Sequence, residues 1–318
     1  MTTSDSPVEL LLTSKVQGAD NVTVLQLRHP SGHALPGWAP GAHIDLVLEP
    51  ELIRQYSLCG NPEDRYVWQV AVLRENAGRG GSQYVHDKLA EGDTISVVGP
   101  RNNFDLLPSP NYVFIAGGIG ITPILSMVEA AAQQGSEWKL HYGGRTLASM
   151  VFAQSLRERF GDNVILYPSD AVGRIELDSI LAEPVSQTLV YCCGPAPLVD
   201  AVSKGCESWP SGSLHVERFV PKEMQDPVLR ASFEVELALT GKTITVTPAQ
   251  SVLDAVAAAG VQVLSSCREG TCGTCETPVI SGEVDHRDSL LTPEEQAAND
   301  TMLICVSRAA CPKISLEL

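Results

Sequence analysis

The chain has 318 residues and a formal net charge of −16, so its own field opposes binding to nucleic acid or to an anionic membrane. Apolar residues make up 44% of the sequence and charged residues 19%, which is a globular composition. This length is typical of two or three domains. There is no apolar run of membrane-spanning length, and the stretch MTTSDSPVEL lacks the features of a signal peptide, so we expect a cytoplasmic protein.

The first predicted domain, residues 1–107, contains short stretches rich in β-branched and aromatic residues between turn-forming clusters. These stretches are VTVLQLRH, HIDLVLE, RQYSL, YVWQVAVL and DTISVVG. Their spacing is typical of an antiparallel β-barrel or β-sandwich. A single helix is predicted over residues 82–89, with Gly92 as its stop.

Two motifs in this domain suggest a phosphate site. Strand alternation sends Arg54 and Tyr56 to one face, where a guanidinium can pair with a phosphate and a phenol can lie along a flavin ring. Ser57 follows, within reach of a ring nitrogen. The turn Gly80-Gly81-Ser82 begins the predicted helix, where free N–H groups can bind an anion. The strand motif alone is a weak signal, but the two together predict a phosphate cradle.

The second predicted domain, residues 108–222, alternates apolar strands with helices, which predicts a parallel sheet. After the strand YVFIA comes Gly117-Gly118-Ile119-Gly120-Ile121-Thr122-Pro123. Thr122 is the expected N-cap and Pro123 the first helical residue, leaving N–H groups free for a pyrophosphate. The motif is not the G-x-G-x-x-G fingerprint, and a structural turn is the alternative interpretation.

Other candidate nucleotide-binding residues follow later strands of the same sheet. They are Gly144, Arg145, Thr146, Asp170, Cys193, Gly194 and Pro195. Ligands of open α/β sheets bind where parallel strands end. Asp170 could accept a hydrogen bond from a ribose 2′-hydroxyl and repel a 2′-phosphate, which favours NADH over NADPH. Arg145 could instead serve a 2′-phosphate or the pyrophosphate.

Residues 223–231 are predicted to be a linker, within a mobile stretch, VPKEMQDPVLRA, that contains two prolines and alternating charge. Residues 232–318 begin with two strands around a Thr-Gly-Lys turn, and a helix is predicted over residues 251–259. These last 87 residues contain 12 acidic and 5 basic residues, so their negative charge density is about twice that of the rest.

The strongest signal is the cysteine spacing C-x4-C-x2-C-x29-C, formed by Cys267, Cys272, Cys275 and Cys305. Plant-type ferredoxins hold a [2Fe-2S] cluster with this arrangement of thiolates. A structural zinc site is the alternative, but such sites usually have two close pairs of ligands. Cys311 is the rival for the fourth ligand. The other cysteines considered are read as small buried apolar residues: Cys59, Cys192 and Cys206.

On these motifs the whole chain resembles the phthalate dioxygenase reductase family. The resemblance implies a flavin-binding antiparallel β-barrel, an α/β parallel-sheet NAD domain and an α+β β-grasp ferredoxin domain, in this order. It implies that FMN is held by the Arg-x-Tyr-Ser motif, the Gly-Gly-Ser turn and the strand between them. These residues are Arg54, Gln55, Tyr56, Ser57, Ala71, Val72, Leu73, Gly80, Gly81 and Ser82. We expect FMN rather than FAD because no segment is available for an adenine.

The resemblance also places Cys193 near the reactive carbon of the nicotinamide. Phe219 would cover the flavin face until the nicotinamide displaces it, and a core aromatic is the alternative. The implied activity passes electrons from NADH through FMN and [2Fe-2S] to a Rieske-type oxygenase. A haem monooxygenase is the alternative partner, and a redox sensor without turnover is a different class. We expect a monomer, and no side chain is needed as nucleophile or general base.

Overall fold

The structure, a computed structural model, describes residues 7–49, 52–222, 224 and 226–318. The chain divides into two compact units, Met1–Phe219 and Val220–Leu318. In the described part of the chain, no helix combines the length and apolar character that a membrane span needs.

The first unit begins with a six-stranded antiparallel sheet in the order β4-β3-β6-β1-β2-β5. Its strands are β1 (Val8–Ala19), β2 (Val22–Arg28), β3 (His43–Glu49), β4 (Leu52–Ser57), β5 (Trp68–Leu73) and β6 (Thr94–Arg101). A bridge between Leu58 and Val70 joins the two ends of the sheet, which closes the predicted barrel. Alternation along β3 explains its burial, since Ile44 and Leu46 lie in the barrel core. The helix α1 (Gly81–Asp87) precedes β6.

The same unit continues with a parallel sheet in the order β11-β10-β7-β8-β9. Its strands are β7 (Asn111–Gly117), β8 (Glu137–Gly144), β9 (Val164–Pro168), β10 (Thr188–Cys193) and β11 (Leu214–Glu217). Its helices are α2 (Ile121–Gln134), α3 (Ala153–Phe160), α4 (Leu177–Ile180) and α5 (Ala196–Gly205). The strand order reverses between β7 and β10, so a topological switch point lies at their carboxyl ends.

The barrel and the parallel sheet share one core. Val22, Val24 and Ala71 of the barrel pack in the same apolar cluster as Phe114 and Tyr142 of the sheet. Burial of this shared surface removes apolar area from water on both sides and stabilises the two sheets as one unit.

The second unit contains a mixed sheet in the order β13-β12-β18-β14-β16 and a two-stranded sheet of β15 and β17. Its strands are β12 (Phe233–Leu237), β13 (Lys242–Val246), β14 (Glu276–Ser281), β15 (Val284–Asp285), β16 (Thr301–Leu303), β17 (Arg308–Ala309) and β18 (Lys313–Leu316). Its helices are α6 (Val252–Ala258) and α7 (Pro293–Ala298). β12 pairs with β18 in parallel, and β13 pairs with β12 in antiparallel fashion, as in the expected β-grasp fold.

One local prediction, the start of α2, needs correction. Thr122 is not an N-cap: α2 begins one residue earlier, and the Thr122 hydroxyl donates to the Ile119 carbonyl oxygen at 2.9 Å. Pro123 is therefore the third helical residue rather than the first. The stretch predicted to be a linker begins the second unit, in which Lys222 N donates to Ser289 Oγ at 2.7 Å and Val228 N donates to Asp285 Oδ2 at 3.1 Å. Glu223 and Gln225 of that stretch lie outside the described residues.

Candidate functional site

The predicted phosphate cradle assembles between β4 and the start of α1. The Arg54 guanidinium donates to the carbonyl oxygens of Ile53 and Arg79, at 2.7 and 2.6 Å. A Cβ on Gly81 would come within 2.3 Å of Arg54 Cγ, so only glycine lets the arginine lie across the turn. Gly80 adopts a φ of 83°, and a Cβ there would meet open space. The arginine and both glycines thus lie together at the start of α1, where the sequence predicts a phosphate site.

The residues of β4 that follow Arg54 are partly or fully buried. Tyr56 packs beside the barrel core, and burial raises the pKa of its hydroxyl. Ser57 is buried, and Gln55 Nε2 is buried without a hydrogen-bond partner among the described residues. An unpaired buried amide donor costs free energy, so this donor is available to a bound polar group. This placement is compatible with a flavin along β4.

The middle of β5 offers mainly its backbone to a ligand. Three residues of β5 are predicted to contact FMN. The Val72 side chain is fully buried in the barrel core, Ala71 is 4% exposed, and Leu73 is half-buried. His86 on α1 lies 2.9 Å from the Val72 oxygen through Nε2 and 3.2 Å from Thr23 Oγ1 through Nδ1. Because a carbonyl only accepts, Nε2 carries the proton. The sequence analysis missed His86, which ties the cradle helix to β5. Ser82 Oγ accepts from Glu75 N at 3.1 Å, which joins α1 to the chain just after β5.

Glycines bring two loops together at the switch point between β7 and β10. A Cβ on Gly120 would lie 2.3 Å from the Cys193 carbonyl oxygen, and one on Gly194 would lie 3.0 Å from Gly117 Cα. Gly118 has a φ of 55° and opens a 3-10 turn, Gly118–Gly120, that leads into α2. The two backbones therefore touch, which places the start of α2 beside the end of β10.

The ends of β8 and β9 carry several of the other residues predicted to bind the nucleotide. A Cβ on Gly144 would come within 2.3 Å of the Met150 side chain, so the strand end is closely packed. Thr146 caps the next turn through reciprocal hydrogen bonds with Ser149, both at 3.2 Å. Arg145 and Asp170 are exposed, and Asp170 N donates to the Arg145 carbonyl oxygen at 3.1 Å. The backbones of these two residues are thus joined at the sheet edge. Pro195 is also exposed, at the N-cap of α5.

Cys193 meets a carboxyl group that the sequence analysis did not single out. Its buried thiol lies 3.9 Å from Glu217 Oε2, because β10 and β11 are paired and these two residues are partners in the register. Burial raises the pKa of Glu217 to about 8 and that of Cys193 well above its usual value. At neutral pH the pair is therefore held largely in its protonated form. Phe219, two residues on, is 40% exposed and thus is not a core aromatic.

The Glu217 pKa predicts a pH-dependent stability for the first unit. The folded protein binds this proton more tightly than the unfolded chain, so the stabilisation is fully present below the unfolded pKa of 4.5 and is lost as the pH rises to about 8. The loss is about 1.4 kcal/mol per pH unit within that window. We expect Glu217→Gln to flatten this part of the pH dependence.

The measurement can follow tryptophan fluorescence during urea unfolding, because all four tryptophans belong to the first unit. They are Trp38, Trp68, Trp138 and Trp209. The free energies of unfolding of wild type and variant, measured at pH 6, 7 and 8, should converge and then cross as the pH rises. Parallel curves would show that Glu217 does not hold a proton in the folded state.

The four spaced cysteines come together in the second unit. Cys267, Cys272, Cys275 and Cys305 are each at most 8% exposed. The Cys267 thiol interacts with those of Cys272 and Cys305, and the Cys275 thiol with that of Cys305. These contacts lower the pKa of Cys267 and Cys275 and raise that of Cys305. The four buried thiols thus converge, as the ligands of a common metal centre must.

The loop around these thiols carries polar groups that can face a cluster. Glu269 N donates to Cys267 Sγ at 3.3 Å, and Cys272 Sγ lies 3.2 Å from Thr274 Oγ1. The Ser266 hydroxyl is buried without a hydrogen-bond partner in the described part of the chain, a donor that a cluster sulfur would satisfy. Cys311 is placed elsewhere, since its Sγ donates to the Lys313 carbonyl oxygen at 3.0 Å. The donor set therefore fits an iron–sulfur cluster, with Cys305 as the fourth thiol.

An antiparallel barrel, a parallel sheet with a topological switch point and a four-thiol centre are together the architecture of an iron–sulfur flavin reductase. Comparison with known proteins agrees. Residues 235–310 match the 2Fe-2S iron-sulfur cluster binding domain and residues 114–163 the oxidoreductase NAD-binding domain. The chain is 40% identical to phenoxybenzoate dioxygenase subunit beta of Ectopseudomonas oleovorans, over 98% of both chains.

Two solved structures extend this comparison. Phthalate dioxygenase reductase is 33% identical with a TM-score of 0.72, over 100% of both chains. An intact type IV self-sufficient cytochrome P450 monooxygenase is 44% identical with a TM-score of 0.93, over 98% of this chain. This chain spans only 41% of that P450 chain. The protein belongs to the phthalate dioxygenase reductase family of oxygenase reductase components, which confirms the resemblance noted from the sequence.

Proposed function

We propose that this chain is the NADH-dependent reductase of a Rieske-type oxygenase system, with FMN and one [2Fe-2S] cluster as its cofactors. The observation that supports this most directly is the buried four-thiol centre on a chain that also carries the two sites of a flavin reductase. When bound, these groups supply a hydride donor, a converter between two-electron and one-electron chemistry, and a one-electron carrier.

The side chains of this protein bind and orient rather than react. Arg54 and the glycine turn would hold the FMN phosphate, and β4 and β5 would line the ring. The Gly117–Gly120 turn would take the pyrophosphate, with Cys193 and Glu217 as a neutral pair beside the nicotinamide. Asp170 would select NADH by accepting from a ribose hydroxyl and repelling a 2′-phosphate. Cys267, Cys272, Cys275 and Cys305 would hold the cluster.

The domain arrangement proposed with this function has four parts. Residues 1–107 bind FMN, residues 108–222 bind NADH, and residues 232–318 hold the cluster. Residues 223–231 connect the last two, and Val228 in this connection donates to Asp285 within the second unit. We further propose that the reductase acts as a monomer, which leaves the acidic second unit free to meet its partner.

A haem monooxygenase is the second candidate partner. The observation that favours it is the 44% identity and TM-score of 0.93 to the cytochrome P450 chain. The matched segment of that chain accounts for only 41% of its length. The two candidates share every reductase step and differ only in which acceptor takes the electron.

The function can be tested by anaerobic mixing of the purified protein with NADH. We expect flavin bleaching, followed by the EPR signal of a reduced [2Fe-2S] cluster, and then electron transfer to an added Rieske oxygenase. Zinc in place of iron and sulfide, or no flavin reduction by NADH, would contradict the proposal. Faster electron delivery to a haem monooxygenase than to a Rieske oxygenase would favour the second candidate.

The partner step should depend on ionic strength. The last 87 residues carry a net charge of −7, so an acidic surface would steer a basic one. Salt shortens the screening length, which is about 10 Å at 0.1 M, so transfer to the oxygenase should slow between about 0.01 and 0.5 M salt. The internal hydride step should barely change. If stopped-flow traces show that salt slows both steps equally, or slows neither step, electrostatic docking is excluded.

A further inference from the structure

A buried carboxylate lies in the segment between the three-cysteine loop and Cys305. Asp288 is 3% exposed, and its Oδ2 accepts from Leu291 N at 2.8 Å and from Leu290 N at 3.2 Å. His286 Nδ1 lies 3.7 Å from its other oxygen. Burial of a carboxylate is costly unless several donors satisfy it, and here the donors come mainly from the backbone. Asp288 therefore fixes the path of the chain around itself.

The first contact of this segment is with the loop that carries three thiols. Gly270 lies between Cys267 and Cys272 and has a φ of 70°. A Cβ on Gly270 would be 3.0 Å from Asp288 Cα and 3.2 Å from its Cβ. Ser289 N donates to the Gly270 carbonyl oxygen at 2.9 Å. The loop thus rests on the backbone at Asp288 and on Val306, whose Cγ2 would lie 2.5 Å from the same Cβ, at a point where only glycine fits.

The second contact is with the segment that carries the fourth thiol. Ser307, two residues after Cys305, is 1% exposed, and its hydroxyl donates to Asp288 Oδ1 at 3.4 Å. The same hydroxyl oxygen accepts from Arg287 N at 3.2 Å. Ser307 N donates to the Leu303 carbonyl oxygen at 3.0 Å, which closes the turn around Cys305. Asp288 therefore contacts both ligand-bearing segments, the three-cysteine loop through its backbone and Cβ and the Cys305 segment through its carboxylate.

We propose that Asp288 is a positioning residue that holds Cys305 in register with the three-cysteine loop. This inference rests on the proposed set of cluster ligands. Cys275 and Cys305 are separated by 29 residues, so the chain between them must return to the loop with its fourth thiol correctly placed. Asp288 provides this by packing against Gly270 on one side and accepting from Ser307 on the other.

The test compares Asp288→Ala, Asp288→Asn and Asp285→Ala in the full holoprotein. We expect Asp288→Ala to release iron to a chelator about tenfold faster than wild type, and the EPR spectrum of its dithionite-reduced cluster to change shape. Asp288→Asn keeps an acceptor oxygen and should restore release to within about threefold. Asp285 accepts from Val228 N rather than contacting the loop, so Asp285→Ala should behave as wild type.

Ser307→Ala provides a milder variant if Asp288→Ala fails to fold, and should speed release by about threefold with a smaller EPR change. The proposal would be overturned if Asp288→Ala and Ser307→Ala both released iron at the wild-type rate. Faster release with an unaltered EPR spectrum would also overturn it, because general loss of stability does not reshape the loaded centre. A wild-type protein without iron and sulfide would instead refute the proposed ligand set, so the two failures are distinguishable.

Discussion

Replacing Cys305 by serine should leave the purified protein with less than about a tenth of the wild-type iron and acid-labile sulfide. A [2Fe-2S] cluster needs four thiolates, and Cys305 is the buried thiol that joins Cys267 and Cys275. NADH-dependent reduction of a one-electron acceptor that takes electrons from the cluster should fall by about 100-fold. Flavin reduction by NADH should continue, because its sites belong to the first unit.

Cys311→Ser is the matched control for this experiment. Cys311 follows Cys305 by six residues, yet its thiol donates to the Lys313 carbonyl oxygen and accepts from Glu283 N at 3.2 Å. The variant should keep full iron and sulfide content. Equal loss of iron from both variants would mean that the fourth ligand has been assigned to the wrong cysteine.

Arg54→Gln should weaken FMN binding by about 10-fold to 100-fold. A charge-assisted hydrogen bond contributes about 1.5 to 3 kcal/mol, and glutamine keeps a donor but loses the charge. The guanidinium is already oriented by the carbonyl oxygens of Ile53 and Arg79, so binding a phosphate requires little ordering of the side chain. Fluorescence titration of the flavin-free protein with FMN would give the two dissociation constants.

Arg74→Gln controls for a general loss of positive charge near the cradle. Arg74 pairs with Asp87 at the end of α1, at 2.5 and 2.8 Å, and both side chains are partly exposed. Exposed pairs contribute little, so this variant should bind FMN within about twofold of wild type. If both arginine variants lose affinity equally, the phosphate is bound somewhere other than beside Arg54.

The barrel strands show which elements local sequence patterns can predict and which they cannot. Alternation and turn residues predict β2 to β6, but the analysis did not single out β1, the longest strand of the barrel. Its pairing with β2 shifts register between Leu12 and Ser14 and again between Gln17 and Ala19. Each shift breaks the period of two on which strand prediction depends. Only pairing with β2 and β6 on its two sides makes this segment a strand.

The sequence by itself determined the chemistry that is encoded locally. Three cluster thiols lie within nine residues, and the Arg-x-Tyr-Ser strand and the glycine turns are each short motifs. Their residue types and spacing predict ligands without knowledge of the fold, because a loop or strand end of a few residues has few conformations that suit them.

Only the tertiary structure decided which distant residues complete these sites. The approach of Cys305, the contact of Gly120 with the Cys193 carbonyl and the position of Glu217 beside Cys193 all depend on strand order. Asp288 appears in the sequence as one acidic residue among many, and its burial against Gly270 follows from packing. Such contacts join residues far apart in the chain, and burial of apolar surface, which fixes them, is a property of the whole fold.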